Sequence, residues 1–245
     1  MRVFGLGTNK IMRDPFFKIF EKKFFPALSG GTAGTQLYTV YTRGATVALP
    51  PPRQLPSVLL DAVLRRRRSR RNFLPEQIKK EELSDLLYWS MGEYEDSQAR
   101  ATRRMHPSGG AKYPLECYVG IYEKGDINPG MYHYNISKHI LEHLPFVSAE
   151  NIRRCFHYDF AQTAPVVISF SYVHGRMQKK YGMLGYKLGI LEGGHIGQNL
   201  YLVAESLHIG ISAIGGMDYD VAHSEFCLGS EEHLFYHVIL GYCAQ

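Results

Sequence analysis

At 245 residues and 27.9 kDa, with 45% hydrophobic and 21% charged residues, the chain can build one large domain or two small ones and is too apolar to be disordered. Its formal charge is +5, yet residues 65–71 alone hold six arginines, and without them the charge would be −1. The basic character is thus one local cluster, which points to a discrete anion site and away from a broad nucleic-acid face.

Residues 1–56 read as an N-terminal arm and linker, and residues 57–245 as the main domain. In the arm, Phe16, Phe17, Phe20, Phe24 and Phe25 fall on one helical face, with Lys18, Lys22 and Lys23 elsewhere on the wheel. Such a segment can lie at a membrane surface or pack on its own body or a partner subunit; Asp14, Glu21 and its short length favour packing. Pro50–Pro52 makes a stiff connector. Ser57 can cap a helix with Leu59, Leu60, Val63 and Leu64 on one face, and a second helix is expected around Glu81–Trp89. A loop rich in Gly, Ser, Arg and Pro follows from Arg100 to Pro114. Leu115–Tyr122, Val166–Tyr172 and Phe235–Tyr242 read as strands, Gly194–Leu207 as the clearest helix, and Gly210–Met217 as a strand running into a glycine loop. Strands and helices intermix, so the class is α+β or α/β in one body. Cys117, Cys155, Cys227 and Cys243 have no paired spacing and read as reduced thiols. No signal-peptide pattern opens the sequence and no run reaches the ~18 apolar residues of a spanning helix, so the expected setting is the cytoplasm, without stable membrane insertion.

Four segments carry chemical potential. In Arg65–Phe73 a basic run ends an amphipathic helix and meets an apolar residue, so some of its arginines should face inward, where guanidinium requires an anion. Arg103 to Pro114 holds Pro107-Ser108-Gly109-Gly110, where bare backbone amides can approach a ligand or simply turn the chain. Glu192-Gly193-Gly194-His195 opens the expected helix, where the glycines serve tight packing or present amides to an anion; Gln198 and Asn199 need partners if buried. Ile214-Gly215-Gly216 can offer backbone N–H groups to a flat ligand edge, or bend. A fifth pattern competes with these. His139-Ile140-Leu141-Glu142-His143 fits H-x-x-E-H, with two histidines sharing a helical face, but eleven histidines make chance matches common and no further carboxylate ligand stands out, so no metal site is expected.

Taken together, the segments resemble the FMN-dependent nitroreductase superfamily, and within it the SagB-type dehydrogenase branch, over residues 36–245. The resemblance rests on Arg67-Arg68-Ser69-x-Arg71-x-Phe73, on Pro107-Ser108-Gly109-Gly110-Ala111-x-Tyr113-Pro114-Leu115-Glu116, and on Gly130-Met131-Tyr132-His133-Tyr134. It continues through Tyr181-Gly182-x-x-Gly185-Tyr186, Leu191-Glu192-x-Gly194-His195-x-x-Gln198-Asn199-Leu200 and Ile214-Gly215-Gly216. It implies a nitroreductase-like α+β fold, with a central mixed, mostly antiparallel sheet flanked by helices, in an intertwined homodimer binding FMN at the interface. It makes His139 and His143 members of a structural turn-and-helix segment.

By the same resemblance, Arg67, Arg68 and Ser69 would hold the phosphate and ribityl end, and Arg71 the pyrimidine edge. Pro107, Ser108, Gly109 and Gly110 would line the cofactor. Ile214, Gly215 and Gly216 would bring a backbone amide toward flavin N5. The basic residues that many relatives carry after the last strand are missing, so phosphate charge would come from Arg67, Arg68 or Arg103 and Arg104. The branch is associated with oxidising peptide azolines to azoles, a base removing a proton while hydride passes to flavin N5. Lys180 and Tyr181 resemble its catalytic Lys-Tyr pair, with Tyr186 a second candidate. The alternatives are an NAD(P)H-dependent nitro or quinone reductase and a non-catalytic flavin- or peptide-binding subunit of a modification complex, with a cyclodehydratase as partner.

Overall fold

A computed structural model describes residues 38–98 and 101–243. The expected amphipathic face at residues 16–25 lies outside these. Seven strands form one sheet in the spatial order β1-β6-β5-β4-β7-β9-β8, every neighbouring pair antiparallel. They are β1 (Thr46–Ala48), β4 (Leu115–Ile121), β5 (Gly130–Asn135), β6 (Ile140–His143), β7 (Val166–Val173), β8 (Gly210–Ile214) and β9 (Glu232–Gly241). A separate hairpin joins β2 (Glu93–Asp96) to β3 (Ala101–Arg104). The helices are α1 (Leu60–Arg66), α2 (Lys80–Met91), α3 (Ala149–Arg154), α4 (Asp159–Gln162), α5 (Gly175–Tyr181), α6 (Leu184–Ser206) and α7 (Tyr219–Glu225).

The sheet is covered on both faces, and the two-residue period of its strands divides the core in two. From β4 and β7, Cys117, Val119, Ile121, Ile168, Phe170 and Tyr172 join the larger cluster with Leu83, Leu86 and Leu87 of α2 and Ile196 and Leu200 of α6. Tyr118 and Val167 point the other way, with Ile152 of α3 and Ala222 of α7. That second face is also unusually polar: Glu116, His133, Glu142, Ser169, Ser171 and His237 are all buried on the sheet.

The expected strands and the helix at Glu81–Trp89 lie close to the observed ones, and β1 falls within the expected arm and linker. Four expectations change. The helix expected from Gly194 starts at Leu184, so Glu192-Gly193-Gly194 lies inside it and exposes no helix-end amides. A Cβ at Gly193 would sit 2.9 Å from the Phe235 ring, so the glycine serves close packing of α6 on β9. Part of the expected Arg100–Pro114 loop is strand β3. The helix after Ser57 begins at Leu60, and only Val63 of its apolar face is buried. His139 to His143 is a turn and strand β6, with no helix, and the His139 ring is engaged by Ser84 Oγ at 2.7 Å and Tyr134 Oη at 2.8 Å.

Candidate functional site

After α1 the arginine run leaves helical geometry and lies along β8, the edge strand of the sheet. Ser69 bridges in parallel to Ile211, and the Arg70 amide donates to the Ile211 carbonyl at 2.8 Å. One buried side chain of α6 fixes this docking. The Tyr201 hydroxyl lies 2.9 Å from Ser69 Oγ and accepts the Ala213 amide at 2.8 Å, while the Arg67 guanidinium stands 5.2 Å over its ring. The run is sorted by its neighbours. Arg66 and Arg70 face Glu205 at 3.5 and 3.9 Å, and Arg68 donates to the Arg65 and Arg67 carbonyls. Among the described residues Arg67, Arg68 and Arg71 form no ion pair. None of the six arginines is buried; Arg67 alone is half-buried. The inward-facing arginines expected from the sequence are therefore absent from the single chain, because a segment added to a sheet edge carries its side chains over the rim.

Arg71 meets the glycine loop through two aromatic rings. Its guanidinium lies 5.3 Å over Phe160, Phe160 stacks on Tyr158 at 5.2 Å and 19°, and a Cβ at Gly216 would fall 2.9 Å from Tyr158 Cε2. Gly215 is exposed, and a Cβ there would meet nothing within 4 Å; its carbonyl accepts the Tyr219 hydroxyl at 3.0 Å. Ile214, which precedes the pair, is buried as the last residue of β8. The arrangement sets a planar cation, two stacked rings and bare backbone side by side. Tyr158, Phe160 and Tyr201 were missed by sequence reasoning, since aromatic residues make up 13% of the chain and nothing local distinguishes these three.

The second group of expected residues gathers around Gly110. The Ser108 hydroxyl accepts the Tyr113 amide at 2.8 Å and so closes the turn. Pro107 is exposed, and Gly109 packs on Leu188 of α6. Gly110 has φ +65°, and a Cβ there would collide with the Tyr181 hydroxyl and lie 2.8 Å from Lys180 Nζ. Lys180 and Tyr181, at the end of α5, thus face the glycine turn, with Nζ 5.1 Å from the Tyr181 ring centre. Tyr186 lies apart from them, buried edge-on against Tyr172 at 5.2 Å, where burial raises its phenol well above the ordinary range. Beneath the turn, His106 and Glu192 are buried 3.3 Å apart, and burial lowers the His106 pKa. Asn199 of α6 donates to the Ser90 and Met105 carbonyls at 3.0 and 3.1 Å, which gives it the partners its position demands.

Arg103 and Arg104 are engaged elsewhere. Arg103 pairs with Asp96 at 2.7 Å, and buried Arg104 pairs with Glu93 at 3.1 Å beneath the Tyr113 ring, so neither stands ready as a phosphate donor. The two groups of site residues also occupy different ends of α6. Gly109 touches Leu188 and Ser69 reaches Tyr201, positions about 20 Å apart along a helix rising 1.5 Å per residue. Among the described residues no group of three or more His, Cys, Asp or Glu could hold a metal ion, and no helix is long and apolar enough to cross a membrane.

The chain is similar in sequence and fold to known proteins. A protein of Methanocaldococcus jannaschii named as a nitroreductase is 30% identical over 179 residues, 72% of this chain and 87% of its own. A crystal structure of a Ralstonia eutropha protein described as a nitroreductase has a TM-score of 0.71 at 25% identity, covering 85% of this chain and 94% of that one. Two more distant structures share the fold. The E. coli microcin synthetase McbBCD complex with truncated pro-MccB17 bound gives a TM-score of 0.63 at 19% identity, covering 81% of this chain and 78% of that one. A Desulfovibrio desulfuricans nitroreductase structure in complex with FMN gives 0.54 at 16%, covering 78% and 89%. The model of the nitroreductase family matches residues 64–242, from the end of α1 to the residue after β9, and the chain belongs to that family.

Proposed function

We propose that the protein is an FMN-dependent oxidoreductase of the SagB type, dehydrogenating a ring carried on a peptide, with azoline-to-azole oxidation as its most specific form. The observation that carries the flavin part of this reading is the stack from Arg71 through Phe160 and Tyr158 to Gly216, locked to the Ser69 segment by Tyr201, and the Lys180–Tyr181 pair at Gly110 supports the dehydrogenase part. The donor set fits FMN. Arg67, Arg68 and Ser69 would take the phosphate and ribityl end, and Arg71 the electron-rich pyrimidine edge. Gly215 and Gly216 leave backbone room for a flat ring. Bound FMN would supply a two-electron acceptor.

Pro107, Ser108, Gly109 and Gly110 lie some 20 Å along α6 from this set, too far to close the same pocket within one chain. A second copy supplies them in this reading, which makes the site a property of a homodimer. The apolar face of α1 supports it: Leu59, Leu60 and Leu64 are 75%, 65% and 47% exposed immediately before the arginine run. Oxidising an azoline removes one proton and one hydride equivalent from the ring. Lys180 and Tyr181 are the side chains placed to receive or hold that proton, and the Gly110 turn sets their position. Tyr186, buried edge-on against Tyr172 and apart from this pair, takes a packing role in this reading. The free cysteines fit a reducing cytoplasm.

A second reading, reduction of nitro compounds or quinones by NAD(P)H, is favoured by the family name and by the half-open aromatic stack, which suits any planar ring. The first test is the visible spectrum of the purified protein, before and after acid release of its chromophore. A released flavin doublet is the expected result, and a colourless protein that takes up no added FMN overturns the proposal. Anaerobic bleaching by a thiazoline-bearing peptide selects the first reading; bleaching by NAD(P)H alone selects the second. A flavin that no donor bleaches would make the chain a binding subunit, of the kind a synthetase complex or a cyclodehydratase partner would use.

A further inference from the structure

The polar face of the sheet holds a buried charged network that reaches the chain just after the Gly110 turn. Arg176, in the first turn of α5, is 5% exposed. Its guanidinium donates to the Tyr113 carbonyl at 3.0 Å, to Thr39 Oγ1 at 3.2 Å, and to Glu116 Oε1. Glu116 accepts in addition from the Thr39 hydroxyl at 2.6 Å and from the His133 ring at 2.8 Å. The other His133 nitrogen lies 3.0 Å from Glu142, which also takes the Tyr41 amide at 2.9 Å. Glu116, which grips α5 through Arg176, therefore also grips the chain at Thr39, and Glu142, joined to it through His133, grips Tyr41.

We infer that Arg176 is a positioning residue for Lys180 and Tyr181, and that the Thr39–Tyr41 strap completes its setting. The inference rests on the functional reading of that pair given above. Helix α5 spans seven residues and is capped by Gly182, so its own hydrogen bonds do little to fix its direction. Buried Met177 packs it on the core, and Arg176 supplies the directional fixed point. It binds Tyr113 and Glu116, three and six residues beyond Gly110, while Lys180 and Tyr181 meet Gly110 itself from the other end of the same helix. Both ends of α5 are thereby referred to one segment of chain, and a shift of Arg176 must move the lysine and tyrosine relative to the turn. Arginine suits the task because its planar fork holds several acceptors in fixed directions, whereas lysine presents a single point charge. A buried charge here needs its partner, and Glu116 is held ionised by the His133 and Arg176 contacts.

The test compares Arg176→Lys, Thr39→Val, Lys180→Ala and Tyr181→Phe, alone and combined, in FMN-loaded protein. Flavin reduction is followed with a thiazoline-bearing peptide and with NADPH as probes. Arg176→Lys and Thr39→Val keep volume or charge, so the fold survives. Each is expected to lower the rate constant about tenfold at unchanged flavin content and KM. Added to Lys180→Ala with Tyr181→Phe, neither should lower it further, because each acts through a pair already disabled. Losses that multiply with that of this double variant, or wild-type rates in both Arg176→Lys and Thr39→Val, overturn the inference. If Lys180→Ala turns over normally, or neither probe is turned over, the functional reading falls instead. Positioning is then decided by acetylation of Lys180 relative to Lys179, both of them exposed, read by mass spectrometry. A ratio at least doubled in Arg176→Lys supports the inference, and an unchanged ratio overturns it.

Discussion

The Ser69 hydroxyl stands 2.9 Å from the Tyr201 hydroxyl, which also accepts the Ala213 amide at 2.8 Å. One phenol thus joins the arginine run to the strand that leads into Gly215. Tyr201→Phe keeps the ring under Arg67 but leaves the Ala213 donor and the Ser69 hydroxyl to find other partners. Two hydrogen bonds at about 1 kcal/mol each are lost, so flavin affinity should fall roughly 5- to 30-fold with the fold intact. Fluorescence titration of the apoprotein with FMN measures this, and an unchanged dissociation constant would show that the docking of Ser69 does not depend on Tyr201.

The sorting of the arginine run gives a paired prediction. Arg66 and Arg70 are committed to Glu205, whereas Arg67 and Arg71 lie over Tyr201 and Phe160. Arg67→Ala with Arg71→Ala removes two charged donors worth about 1.5–3 kcal/mol apiece, enough to lower FMN affinity by at least ~100-fold and yield colourless protein. Arg66→Ala with Arg70→Ala removes as much charge and should leave the protein yellow. If the two double mutants hold equal flavin, bulk charge attracts the cofactor and the placement assigned to Arg67 and Arg71 is wrong.

The exposed face of α1 predicts the assembly. Leu59 and Leu60 turn 75% and 65% of their surface outward in the single chain, while Val63 of the same helix is 4% exposed. Covering such side chains is worth roughly 1.5–3 kcal/mol each. Leu59→Glu with Leu60→Glu should convert a dimer to monomers, measured by sedimentation velocity, and release FMN in the same step if a second copy completes the site. Monomers that keep their flavin would place the whole site in one chain.

What the sequence made legible was mostly local. Val166–Tyr172 and Leu115–Tyr122 announce themselves as strands because β-branched and aromatic residues are concentrated there, and Leu83, Leu86 and Leu87 mark α2 by their spacing. The first ten residues of α6 were obscured by Gly185, Gly189 and Gly193, poor helix formers whose value is tertiary: a Cβ at Gly189 would sit 2.6 Å from the Tyr172 ring. His139 to His143 misled because two histidines four apart suggest a helical face, whereas His139 sits in a turn at φ +52° and only Ile140–His143 is strand. For the candidate site, sequence marked the segments, and the fold sets Gly110 beside Lys180 and Tyr181, a contact the sequence did not announce. Tyr158, Phe160, Tyr201 and Arg176 were hidden, since each acts through a partner distant in the chain.

His133 makes the stability of this fold depend on pH in a direction the geometry determines. Burial opposes its imidazolium, but hydrogen bonds to Glu116 and Glu142 outweigh burial and push the pKa up from 6.5 to about 9. The folded state therefore holds a proton that the unfolded chain releases above pH ~6.5. The stabilisation is complete below that pH and is lost as pH rises through about 9, a span worth on the order of 3 kcal/mol. Glu116 works at the opposite end. Burial alone would raise its pKa, but the contacts with His133 and Arg176 lower it from 4.5 to about 2, so its share is present above pH ~4.5 and disappears as pH falls toward 2. One contact underlies both shifts, and the two contributions are not summed. The expected result is a stability plateau between about pH 4.5 and 6.5, with a melting temperature that declines toward pH 9. His133→Gln should melt lower than the native protein at pH 6, and the gap should narrow steadily as the pH approaches 9. Parallel melting curves across that range, with a constant gap, would mean that His133 binds no more proton in the folded protein than in the unfolded chain and that its contacts with Glu116 and Glu142 do not hold its charge.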